Sequence, residues 1–94
     1  MEYWRVEWLH DSAEDPTTIY SEIGSDGYET RKVHTYTDGR LLKSDEWHES
    51  RDIGLSKVPV GRIEDVMLQP EFLASRVSAA KFEEMWRMAS WPST

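Results

Sequence analysis

Glu22, Glu29, Arg31 and His34 are the residues of this chain whose types and spacing could do chemistry together. A carboxylate beside a guanidinium is held ionised, so Arg31 could anchor a substrate carboxylate or phosphate while a glutamate acts as base. The same residue types also form cross-strand ion pairs on the polar face of a sheet, and such networks imitate active sites. No G-x-S-x-G, phosphate-binding glycine-rich loop or H-E-x-x-H accompanies them. A small enzyme or ligand-binding domain built on Glu22, Arg31 and His34 is therefore the alternative expectation, and no catalytic residue is named.

A second set could bind without catalysing anything. Asp45, Glu46, Trp47, Glu49 and Asp52 crowd one stretch, and Trp91 comes much later. Exposed tryptophan is enriched among the residues that dominate interface energies, and carboxylates around it would steer a basic partner. Asp11, Glu14 and Asp15 add to the acidic surface. Trp4, Trp8 and Trp86 instead have the periodicity of core residues, and Trp91 could equally pack on a sheet.

Charge narrows the partners. The chain has 18 acidic and 11 basic residues, a net charge of −7. Nucleic-acid binding by counterion release needs a clustered basic surface, and only the short Arg31-Lys32 pair is offered. An anionic membrane surface would repel the chain for the same reason. Excess negative charge fits solubility, or steered association with a basic protein.

The absence of cysteine excludes disulfides, thiolate metal sites and cysteine nucleophiles. His10, His34 and His48 lie on different segments without H-x-x-x-H spacing, so neither a metal nor another cofactor is expected. Met1-Glu2-Tyr3-Trp4-Arg5 lacks the basic-then-apolar pattern of a signal peptide, and no run approaches the ~20 apolar residues of a membrane span. A cytoplasmic location is the expectation, and the oligomeric state is left open.

The elements that must position these residues read as strands first and helices after. Tyr3 to His10 alternates, with Trp4, Val6 and Trp8 on one face and Arg5 and Glu7 on the other. Thr17 to Ile23 and Tyr28 to Tyr36 read as a hairpin closed by Gly24-Ser25-Asp26-Gly27. Asp38-Gly39 is the signature of a two-residue turn, which would place Thr37 opposite Arg40, Lys32 opposite Asp45, Arg31 opposite Glu46 and Glu29 opposite His48. A fourth strand would then run from Arg40 to about Trp47, with Val33, Thr35 and Leu42 on one face. His48 to Gly61 reads as a long loop.

Ile63, Val66 and Met67 mark a helical face, Pro70 starts a short turn carrying Phe72 and Leu73, and Ser78 caps a last helix whose stripe is Phe82, Met85, Trp86 and Ala89. On these grounds the 94 residues are expected to form one α+β domain, a four-stranded antiparallel meander covered by C-terminal helices.

The run Tyr3-Trp4-Arg5-Val6-Glu7-Trp8, then Ile19-Tyr20-Ser21-Glu22-Ile23, Gly27-Tyr28-Glu29-Thr30-Arg31-Lys32-Val33 and Asp38-Gly39 is similar to a family of small, functionally uncharacterised bacterial domains. Pro70-Glu71-Phe72 and the helix from Ser78 to Trp86 extend the likeness over nearly the whole chain. The resemblance implies a small bacterial protein, strand-rich first and helical last. It brings no activity and no site residues. The leading expectation is a non-catalytic acidic protein-interaction module of the immunity-protein or antitoxin kind, bound to a basic partner.

Overall fold

The computed structural model describes residues 1–51 and 53–92. Strands β1 (Glu2–Trp8), β2 (Thr18–Ile23), β3 (Glu29–Thr35) and β4 (Leu41–Asp45) follow one another as an antiparallel meander. Helix α1 (Ile63–Met67) comes next, then strand β5 (Phe72–Arg76), then helix α2 (Ala79–Met88). The sheet order is β4-β3-β2-β1-β5, so the chain forms a five-stranded antiparallel α+β fold.

The fifth strand corrects the expectation of four. Phe72–Arg76 returns antiparallel beside β1, with Phe72 opposite Trp8 and Arg76 opposite Trp4. Pro70 initiates a turn, but its residues leave that turn extended. Only Phe72 and Ala74 of β5 are half-buried, which leaves little periodic signal in a strand this short.

Both faces of the sheet are covered. Tyr20 and Val33 pack with Phe82, Met85 and Ala89 of α2, and Tyr3, Leu41, Val77 and Trp86 close that core. On the opposite face Trp4, Val6 and Ile23 meet Ile63 of α1, with Val60, Val66, Phe72 and Ala74 around them. Ser78 caps α2 by accepting from the Lys81 amide at 3.0 Å. The expected α2 stripe holds. In α1 only Ile63 is fully buried, and Met67 is exposed, so that face is narrower than its spacing predicts.

The β3–β4 register differs from the expected one by one residue. Arg31 faces Asp45, Lys32 faces Ser44 and Thr35 faces Leu41. Thr37 is not opposite Arg40. Instead Tyr36 stands opposite Arg40, its amide donating to Arg40 O at 3.0 Å, and the Gly39 amide donates to Tyr36 O. The loop is therefore Thr37-Asp38-Gly39, with Gly39 alone at positive φ, +91°. That is the three-residue hairpin with a glycine in the left-handed region, not the two-residue turn in which Asp38 would also need positive φ.

A slip of one residue exchanges faces. Leu41, not Leu42, joins Val33 beneath α2. The pairs Lys32–Asp45, Arg31–Glu46 and Glu29–His48 do not form across the ladder. β4 also stops at Asp45, short of Trp47, because the chain turns there.

Candidate functional site

The turn that ends β4 builds the candidate site. Asp45 and His48 exchange backbone hydrogen bonds of 3.3 Å, leaving Glu46 and Trp47 at the tip. The Asp45 carboxylate braces this tip: Oδ1 accepts from the Trp47 amide at 2.9 Å and lies 2.9 Å from His48 Nδ1. Buried Ser44 adds a hydroxyl bond to His48 O at 2.8 Å. Burial pushes the Asp45 carboxyl up, but its bonds to His48 and the Trp47 amide outweigh that and hold it below the ordinary value. The result is an indole with 81% of its surface exposed, on a backbone held from below.

Trp91 arrives beside this turn by a different route. After α2, Ser90 pairs with β4, its amide donating to Leu41 O at 2.9 Å and its carbonyl accepting from Lys43 N at 3.0 Å. That places Trp91 over His48, ring centroids 4.3 Å apart, and edge-on to Trp86 at 5.6 Å. The Lys43 ammonium lies 4.7 Å from the Trp86 ring centre and 4.8 Å from that of Trp91. Trp91 is thus both packed and 42% exposed.

The acidic residues divide into groups. Asp45, Glu46, Trp47 and Glu49 come together with Trp91. Glu49 also holds the long loop, its carboxylate bound to Lys57 Nζ at 2.6 Å and to the Leu55 amide at 3.1 Å, and both bonds lower its pKa. Asp52 lies outside the described residues. Asp11, Glu14 and Asp15 are exposed in the β1–β2 loop. The register puts that loop at the end of the sheet where Thr18, Thr35 and Leu41 align, away from Asp45.

Sequence reasoning missed what joins the turn at its own end of the sheet. Asp26 and Tyr28, from the β2–β3 hairpin, line a cleft of about 440 Å³ with Glu29, Glu46, Glu49 and Lys57. The hairpin glycines predict that turn, but only the sheet register shows which other loop it meets.

Glu22, Glu29, Arg31 and His34 are not one cluster. Glu22 and Arg31 sit under α2, and four of the five N–H donors of Arg31 are taken there. Its Nε and Nη2 donate to Glu22 at 2.9 and 2.6 Å, and its Nη1 and Nη2 donate to Glu83. The guanidinium also lies 4.9 Å from the ring centres of both Phe82 and Trp86. Hydrogen bonds from Arg31 bring the Glu22 carboxyl down to about 2, despite its burial. Glu83 of α2, outside the apolar stripe of that helix, reaches toward the sheet to share this cation.

Glu29 and His34 occupy the opposite face. Glu29 ties the long loop to the sheet, accepting from Ser56 N at 2.6 Å and Ser21 Oγ at 3.0 Å and pairing with Lys32 at 2.9 Å. His34 is mostly buried, its Nδ1 is without a hydrogen bond among the described residues, and burial pushes its pKa down to about 4. His10 closes the β1–β2 loop, with Nε2 2.7 Å from Pro16 O and Nδ1 accepting from the Ser12 amide. The three histidines lie apart, and among the described residues no group of three or more His, Asp or Glu side chains converges as a metal site would. No helix among the described residues is long and apolar enough to cross a membrane.

No curated protein and no solved structure matches the chain. Residues 2–91 match the family described as Domain of unknown function (DUF6881), and the chain belongs to that family.

Proposed function

We propose that this member of a family without an assigned activity is a non-catalytic protein-interaction module, which binds a basic partner in the bacterial cytoplasm through the turn Asp45–His48. The observation that carries this reading is Trp47. Tryptophan is enriched among the residues that dominate interface energies, and here an indole left 81% exposed stands on a backbone braced by Asp45 and Ser44. Preorganisation of that kind lowers the entropy lost on binding. Glu46 and Glu49 flank the indole, and the chain's net charge of −7 adds a long-range attraction for a cationic surface. An immunity protein or antitoxin that neutralises a basic toxin has this chemistry.

The polar set Glu22, Arg31 and His34 has no comparable support as an active site. Arg31 already has two carboxylates on its fork, and His34 lies on the other face of the sheet.

The test is affinity capture from an extract of the native cell with the wild-type chain and with Trp47→Ala and Glu46→Gln side by side. Glu46 is exposed at the turn tip, so neither change disturbs the fold. The reading expects a basic protein retained by wild type and lost from Trp47→Ala. Capture that ignores both substitutions, or turnover of a small metabolite by the chain alone, would overturn it.

A further inference from the structure

Beside Trp47 the surface folds into a cavity of about 240 Å³, lined by Trp47, His48, Glu49, Ser50, Trp91 and Pro92. Indole, imidazole and pyrrolidine form most of its wall. Among the described residues the acidic residue of that lining is Glu49, whose carboxylate is held in place by Lys57 and the Leu55 amide. Each carboxylate oxygen has two lone pairs, so both atoms keep capacity for a further donor.

The same aromatic layer already holds cations from this chain. Arg31 lies against Phe82 and Trp86, and Lys43 lies against Trp86 and Trp91, each within 4.9 Å of a ring centre. Ring faces attract cations through their quadrupole, most strongly for indole. From Trp86 through Trp91 to His48 the layer runs outward and ends at the cavity.

We propose that this cavity receives an arginine side chain of the basic partner, its guanidinium against the indoles and its charge toward Glu49. The inference rests on the interaction reading above and names the group that enters the site. An apolar side chain would gain the aromatic wall but would offer no donor to the remaining acceptor capacity of Glu49. A second copy of this chain would bring another net charge of −7. Arginine satisfies wall and carboxylate at once, because its planar fork stacks on rings and matches a carboxylate, whereas an ammonium is a compact, strongly hydrated point charge.

The experiment is NMR titration of the full chain with a blocked glycyl-arginyl-glycine peptide, read at the indole N–H signals. The citrulline peptide is the neutral counterpart of the same shape, and a leucine peptide tests an apolar occupant. The expected result is saturable shifts at Trp47 and Trp91 with the arginine peptide and binding about tenfold weaker with the other two. Trp47→Ala should weaken the arginine peptide about tenfold while the buried Trp4 signal stays in place, showing an intact fold. Equal binding of citrulline or leucine, or no shift at either indole, would overturn the proposal. If a partner is captured through Trp47 but the arginine peptide does not bind, this inference fails and the interaction reading stands. If the peptide binds and no partner depends on Trp47, the interaction reading fails instead.

Discussion

At the scale of single residues, two buried titratable groups make testable claims about stability. His34 is pushed down to about 4 by burial and by the nearby Lys32 charge, against an ordinary value of 6.5. Between those values the unfolded chain binds a proton that the folded chain does not. Its contribution is therefore intact above about pH 6.5 and is lost as pH falls toward about 4. At about 1.4 kcal/mol per pKa unit, the wild type should lose about 2 kcal/mol between about pH 7 and about pH 5. His34→Phe should remove most of that slope, and near neutrality should change stability little, since the unbonded Nδ1 goes with it. Urea unfolding at the two pH values checks this; an unchanged slope in the variant would refute it. Glu22 acts lower, between its ordinary 4.5 and about 2, where protonation would remove its bonds to Arg31. Arg31→Met should cost about 3–5 kcal/mol, because it strands a buried carboxylate. Adding Glu22→Gln should recover a large part of that loss. A cost below about 1 kcal/mol for Arg31→Met alone would show that water, not Arg31, satisfies Glu22.

At the scale of elements, the alternation of β1, the β2–β3 hairpin and the Ser78-capped α2 were legible, because each carries a strong local signal. The errors came where that signal was shared between alternatives. Opposite charges across β3 and β4 do not discriminate between the two turns, because Asp45 and Glu46 are both acidic and an acidic residue stands opposite Arg31 in either register. A cross-strand ion pair contributes only ~0.2–1 kcal/mol, less than seating Leu41 beside Val33 under α2. β5 escaped notice because its identity as a strand depends on β1 lying beside it. The exposed pair Glu46 and Trp47 was legible by composition, whereas the meeting of Trp91 with His48 depends on Ser90 docking to β4, which no local pattern announces. Docking of α2 has its own test. Phe82 is fully buried at the centre of its core, in contact with Tyr3, Trp86 and Arg31. Phe82→Ala should cost about 3–5 kcal/mol by chemical denaturation, and half-buried Trp86→Ala clearly less. Equal losses, or one below about 1 kcal/mol at Phe82, would mean that α2 does not depend on this core.

At the scale of the whole molecule, the sheet separates what holds the fold from what is offered outward. Arg31 with its two carboxylates locks α2 to one face, and Glu29 with Lys32 ties the long loop to the other. Trp47 and Glu46 take no part in either arrangement and project from one corner, beside the clefts lined by Tyr28 and by Trp91. Acidic charge on such a corner should act mainly on the encounter, since exposed charges are screened beyond a Debye length of about 8 Å at physiological salt. The indole should act mainly on the lifetime of the complex. The most direct measurement is the association and dissociation kinetics of the captured partner with wild type, Glu46→Gln and Trp47→Ala at several salt concentrations. The interaction reading predicts an on-rate that falls with salt and with Glu46→Gln, and an off-rate that rises about tenfold or more in Trp47→Ala with no change in unfolding midpoint. Rates indifferent to salt and to both substitutions would contradict it.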